Sequence, residues 1–199
     1  MITSRHIGIL GGSFNPVHTG HIILADYLVQ FTGLDEVWLM LSPANPLKTG
    51  NAAPDIPDTD RYSMLDIATD GIKGVRPCDI ELSMPRPSYT IDSLRELHRR
   101  FPHTRFSLII GSDNWLIFDR WREHRAIIEE FTPIVYPRPG YEIDPATLPP
   151  EVTFVNAPTI DLSSTFIRRA IAEGHDMTAF MPHGVGRYIT SHNLYQPHK

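Results

Sequence analysis

Three short apolar runs, His6–Leu10, Val37–Leu41 and Arg105–Ile110, are separated by segments of helical period. Such runs, without polar alternation, read as strands covered on both faces, as in a parallel sheet. After the first run, Ile22, Ala25, Leu28 and Val29 recur at helical spacing until Gly33 stops the helix. Asp58 or Thr59 caps a second helix through Thr69. Ser88–Phe101 and Asn114–Phe131 read as two more, the latter carrying Trp115, Phe118, Trp121, Ile127 and Ile128. Ser163–Ala172 and Gly184–Tyr195 close the chain as helices. Val75–Leu82, Pro133–Tyr136 and Val152–Val155 supply the remaining strands. Alternation at this spacing requires right-handed crossovers, so the expected class is α/β: a mostly parallel sheet flanked by helices. The proline-rich loops Pro43–Pro57 and Pro137–Pro150 are too short for linkers, so residues 1–199 are expected to form a single domain. The first loop is long for a connection and reads as a lid. In such sheets ligands sit at the carboxyl ends of the strands.

Charge narrows the partners. Lys plus Arg is 18 against 23 Asp plus Glu, a net of −5. That excludes the broad basic surface of a non-specific nucleic-acid binder but allows a local anion pocket. Cys78 is the one cysteine, so neither an internal disulfide nor a zinc ribbon is possible. No apolar run is long enough to span a membrane, and the amino-terminal run lacks the length of a signal peptide. A cytoplasmic protein without membrane or nucleic-acid partners is the expectation. Oligomeric state is not readable.

The first strand ends in Gly11-Gly12-Ser13-Phe14-Asn15-Pro16 and leads to His18 and His21. Glycines let a backbone approach a ligand closely. His18 and His21 stand at i, i+3 and share the first helical turn if the helix has begun by then. Unpaired N–H groups there attract phosphate, and two imidazoles add donors. Such a junction also arises for folding reasons alone, and His-x-x-His also serves metals. No third metal ligand follows in step. Neither the G-x-G-x-x-G fingerprint nor a Walker lysine fits. Near the other end, Ser163 or Ser164 caps a helix, and Arg168 one turn in can fork onto the same anion.

Together, the run from Gly11 to His21 and the run Leu162–Arg168 resemble the two signatures of the HxGH-class nucleotidyltransferases, which have a Rossmann-like fold. The rest of the chain is similar to the bacterial nicotinate-mononucleotide adenylyltransferases. Pro43–Lys48, Arg61–Leu65, Ser88–Leu94, Gly111-Ser112-Asp113 and Trp121 carry that likeness; Leu47 and Ser112 depart from the usual His and Ala. The resemblance implies that Gly11, Gly12, Ser13, Phe14, His18, His21, Gly111, Asp113, Ser163, Ser164, Thr165 and Arg168 contact ATP. It implies that Asn15, Lys48, Tyr89, Thr90, Trp121 and the backbone at Arg122 surround nicotinate mononucleotide. His18, His21 and Arg168 would be catalytic. The reaction gives the deamido dinucleotide and pyrophosphate for NAD synthesis. Mg²⁺ would travel with ATP, without a dedicated protein metal site.

The residues read alone explain several of these positions otherwise. Trp121 suits the core of an amphipathic helix, Tyr89 and Thr90 suit a helix cap, and Lys48 suits a solvated loop. Rival activities are phosphopantetheine or nicotinamide-mononucleotide adenylyl transfer, or nucleotide binding without catalysis.

Overall fold

The computed structural model describes residues 5–43 and 56–196. Six strands form one parallel sheet: β1 (Arg5–Gly12), β2 (Glu36–Leu41), β3 (Val75–Cys78), β4 (Thr104–Gly111), β5 (Ile134–Tyr136) and β6 (Thr153–Phe154). Their order is β3-β2-β1-β4-β5-β6. The helices are α1 (Thr19–Phe31), α2 (Asp58–Thr69), α3 (Thr90–Arg100), α4 (Ser112–Trp115), α5 (His124–Phe131), α6 (Ser164–Ala172) and α7 (Val185–Ser191). This is the doubly wound arrangement expected from the alternating apolar runs.

Side-chain alternation along the strands divides the interior into two layers. Ile7 and Ile9 of β1, with Phe106, Leu108 and Ile110 of β4, meet α3 and α5 through Ile91, Leu94, Leu97, Ile127 and Phe131. Leu10 and Ile109 face the other way. There α1, α2, α6 and α7 bring Leu28, Met64, Leu65, Ile167 and Ile189. At the amino ends of the strands Glu36 is buried, paired with Arg5 and with Arg76 at 2.8 Å, and it accepts from Trp38 Nε1 at 2.7 Å. That network braces the end of the sheet opposite the crevice.

Three segments differ from the sequence expectation. The strand from Val75 ends at Cys78 and gives way to a 3₁₀ turn at Ile80–Ser83. Pro77 is tolerated because β3 is an edge strand, where a missing N–H leaves no ladder bond unmade. The continuous helix expected over Asn114–Phe131 is broken. After α4 come a 3₁₀ turn at Phe118–Arg120, an extended Trp121 and a left-handed Glu123 (φ 51°) before α5 begins. The final helix ends at Ser191, and Asn193 takes a left-handed conformation (φ 52°). Lys48 and most of the first proline-rich loop lie outside the described residues.

Gly74 leads into β3 at φ +81°, and its carbonyl accepts from Val37 N at 2.7 Å. An added Cβ would meet Val29 Cγ1 at 2.8 Å and the Asp35 carbonyl at 3.2 Å. Gly74→Ala is expected to cost about 1–2 kcal/mol from the left-handed backbone alone. Thermal unfolding should show the loss. kcat should be unchanged, because the position lies at the amino end of the sheet.

Candidate active site

Strands β1 and β4 are neighbours whose following helices leave toward opposite sides of the sheet. A crevice of about 230 Å³ opens at their carboxyl ends, as the topology requires. Gly11, Gly12 and Ser13 line it from β1, and Gly111 from β4. Tyr89 and Thr90 line it from the start of α3, and Trp121 with Arg122 from the turn before α5. A Cβ at Gly111 would collide with Asp113 and come within 2.9 Å of Arg138 Cγ. Ser112, where the resemblance has alanine, accepts from Arg138 N at 2.9 Å. Its hydroxyl therefore fixes the backbone that carries Arg138 beside Asp113 (3.8 Å).

The turn after β1 is not regular structure. Phe14 has φ +42°, and its ring is buried against the edge of His21 (centroids 5.0 Å apart, 73°). Only its backbone is therefore free to face a ligand. His18 is the N-cap of α1 and His21 lies in the first turn. Their rings stack at 3.7 Å and 29°. The His18 N–H donates to His21 Nδ1 at 3.2 Å, so a neutral His21 carries its proton on Nε2. Burial, and secondarily the Arg138 charge, push the His18 ring down to about 4. It is neutral at pH 7. Its preference for the neutral form stabilises the fold fully above the ordinary value of 6.5, and this contribution is lost as pH falls toward 4.

The second motif docks directly on that turn. Ser163 Oγ accepts from Phe166 N at 3.2 Å and caps α6. Ser164 Oγ donates to the Pro16 carbonyl at 2.9 Å. Arg168 Nη1 donates to the Asn15 carbonyl at 2.7 Å, and Nη2 to Thr165 Oγ1 at 3.1 Å. From α2, the buried Arg61 pairs with Asp58 and gives Nη1 to the carbonyls of Ser13 (2.7 Å) and Ser42 (3.1 Å).

The acceptor side is braced separately. The break in the expected helix frees Trp121 to line the crevice, while Phe118 takes the core position between Trp115 and Trp121. Trp121 therefore does not sit in a helix, although its ring still packs against the core beside Phe118. Arg122 lies over the Tyr89 ring at 4.8 Å and donates to Asp92 Oδ2 at 3.2 Å, tying this turn to the start of α3. Glu81, which sequence reading did not single out, is buried in the crevice wall. It accepts from Ser88 Oγ at 3.1 Å and Ser93 Oγ at 2.7 Å, on either side of the α3 N-terminus. Nothing in its local sequence marks it, because the contacts come from the next element.

Three buried polar atoms lack a hydrogen-bond partner among the described residues: His18 Nδ1, Asp113 Oδ1 and Trp121 Nε1. Leaving such atoms unpaired costs about 1–3 kcal/mol each, and all three belong to residues expected at the site.

A parallel sheet with two phosphate-type motifs joined at its switch point defines a nucleotidyltransferase, and residues 9–170 match the cytidylyltransferase-like family. A Bacteroides fragilis (strain YCH46) protein is 48% identical over 182 residues, spanning 92% of this chain and 90% of its own. It is named "Probable nicotinate-nucleotide adenylyltransferase". A Flavobacterium johnsoniae protein of the same name is 38% identical over 192 residues, covering 96% and 98%. The solved nicotinic acid mononucleotide adenylyltransferase of Plasmodium falciparum, complexed with NaAD, shares the fold. Its TM-score is 0.76 at 22% identity, over 96% of this chain and 97% of that one. The chain belongs to the nicotinate-nucleotide adenylyltransferase family.

Arg61 and Arg86 both pair with Asp58, but Arg61 is buried and Arg86 has 59% of its side chain exposed. Arg61→Ala leaves the carbonyls of Ser13, Ser42 and Pro43 and the Asp58 carboxylate short of a donor. It should lower stability by about 2–4 kcal/mol in urea denaturation. Arg86→Ala should cost less than about 1 kcal/mol.

Proposed function

We propose that His18, His21 and Arg168 carry out adenylyl transfer from ATP to nicotinate mononucleotide, giving nicotinate adenine dinucleotide and pyrophosphate. The observation that carries the reading is the direct bond from Arg168 to Asn15, which joins the two motifs into one phosphate-facing surface. The acceptor's phosphate oxygen attacks the α-phosphorus. The bond to the bridging oxygen breaks, and its electrons leave with pyrophosphate. The nucleophile is already ionised at neutral pH, so no general base is needed. Catalysis is positioning plus stabilisation of charge on the bridging and leaving oxygens.

His21, held by the His18 N–H at Nδ1, offers Nε2–H to a phosphate oxygen. His18 is neutral and also donates one N–H. Arg168 uses two donors on Asn15 and Thr165 and turns the rest of its fork toward the β- and γ-phosphates. The backbone of Gly11–Phe14, the Gly111–Asp113 turn and the start of α6 with Ser163, Ser164 and Thr165 complete the ATP half. These groups are mostly hydrogen-bond donors, which suit an anion and not a bare cation. Mg²⁺ therefore enters with the triphosphate, as MgATP.

On the acceptor half, Trp121 supplies a flat face for the pyridine ring. The N–H groups at Thr90 and Arg122 suit a carboxylate, which only accepts hydrogen bonds; the Trp121 N–H is spent on the Phe118 carbonyl at 2.9 Å. A carboxamide would set its NH₂ against donors. Asn15 completes this half.

Pyrophosphate release with candidate acceptors tests the reading. Nicotinate mononucleotide should exceed the nicotinamide form at least tenfold in kcat/KM, as for one mismatched buried polar group. A ratio near one, or activity only with phosphopantetheine, would overturn the acceptor assignment. Trp121→Ala should raise KM for both mononucleotides alike and leave the ratio unchanged. His21→Ala should lower kcat by roughly 10²–10³, with a smaller effect on ATP affinity. A kcat within threefold of wild type would remove His21 from the chemistry.

A further inference from the structure

The carboxyl-terminal turn contributes a group that none of the motifs contains. After α7 ends at Ser191, Asn193 reverses the chain, and Leu194 N donates to the Ile189 carbonyl at 3.0 Å. This reversal turns Tyr195 inward, where it is 6% exposed. Its hydroxyl donates to Asn15 Oδ1 at 2.6 Å, across nearly the whole length of the chain. Asn15 is itself buried, between Phe14 at positive φ and Pro16.

We propose that Tyr195 is a positioning residue for adenylyl transfer, fixing the Asn15 amide so that its nitrogen is the group presented to the reacting phosphates. The inference rests on the adenylyl-transfer reading above. Asn15 is gripped twice: Arg168 holds its main-chain oxygen and Tyr195 its side-chain oxygen. With both oxygens engaged, what the Asn15 side chain has left to offer is the two hydrogens of its amide nitrogen, and these suit an anion. The phenol is suited to hold this orientation permanently. Burial pushes its titration upward, outweighing the nearby Arg168 and Arg61 charges, so it stays protonated and donates. Core filling alone does not account for the hydroxyl. A phenylalanine fills the same space, and a buried O–H is tolerable only with a well-placed acceptor. Here the acceptor comes from the turn that binds phosphate.

Tyr195→Phe, Asn15→Ala and the double variant are compared with wild type in the pyrophosphate-release assay, with thermal unfolding alongside. The wild type fixes the frame. If it turns over another acceptor in place of nicotinate mononucleotide, the acceptor reading fails, and Tyr195 is then tested with the acceptor that works. The expected result for Tyr195→Phe is a roughly tenfold fall in kcat/KM for the acceptor, the scale of one lost hydrogen bond. KM for ATP should stay within twofold. The fall should be the same from pH 6 to pH 9, because the phenol does not titrate there. The double variant should be no worse than Asn15→Ala alone, since the two residues act as one unit. Three results would overturn the proposal: kcat/KM of Tyr195→Phe within twofold of wild type, effects of the two substitutions that multiply, or a loss that disappears at lower temperature in step with recovered folding. Should Tyr195→Phe fail to fold, Asn15→Ala decides, because it removes the acceptor and leaves the ring in place. An Asn15→Ala enzyme as active as wild type would overturn the role.

Discussion

The arrangement depends on how the acceptors of the Ser13–Pro16 turn are satisfied. A turn outside regular structure has no ladder to bond its carbonyls, and burying them unpaired would be prohibitive. Here three of them receive donors from two distant helices. Arg61 of α2 takes Ser13, Arg168 of α6 takes Asn15, and Ser164 of α6 takes Pro16. Because the oxygens face inward to these donors, the turn can direct N–H groups outward to an anion. One set of hydrogen bonds thus stabilises an irregular backbone and sets its polarity toward the ligand. It also explains why α6 must dock beside α1. The second motif is thus a clamp on the first.

The electrostatics follow from that frame. The chain is acidic overall, yet Arg120 and Arg122 line the crevice, Arg138 stands beside Asp113, Arg168 docks on the turn that leaves β1, and two stacked histidines follow that turn. Keeping His18 neutral at pH 7 limits repulsion against Arg138. Arginine suits the clamping role better than lysine. Its planar fork can bond a carbonyl and a hydroxyl and still have donors left over.

Much of this was legible in the sequence because parallel strands are buried on both faces and write themselves as apolar runs. The two glycine-bearing strand ends and the capped helix at Ser163 were also local signals. What escaped depends on contact between distant elements. Trp115, Phe118 and Trp121 keep i, i+3 spacing whether the helix continues or breaks. No glycine or proline announces the left-handed Glu123. Asn193 ends α7 in the role usually given to glycine, so the pattern through Tyr195 read as helix. Glu81 and Tyr195 were silent because their meaning lies in partners from other elements: Ser88 and Ser93 for one, Asn15 for the other.

The two halves of the crevice belong to opposite layers of the fold. Phe14, Val17, Ile167 and Tyr195 root the phosphate half in the core shared by α1, α2, α6 and α7. Tyr89, Phe118 and Trp121 root the acceptor half in the core of α3 and α5. Each half is braced internally, one by Arg61 and Arg168 and the other by Arg122 and Glu81. They meet along the carboxyl edge of β1 and β4. In-line transfer tolerates misplacement of only about an ångström before rate is lost. The two halves are therefore held relative to each other by the β1–β4 pairing, whose register runs from Arg5–Thr104 to Leu10–Ile109 and ends just short of the glycines. Gly11, Gly12 and Gly111 sit where that rigid pairing stops. At Gly111 a β-carbon would collide with Asp113, and at Gly12 it would lie 2.9 Å from the buried Phe14 ring. The backbone can approach a ligand there because these positions carry no side chain, and it can hold that ligand steady because the strands immediately behind them are locked in register.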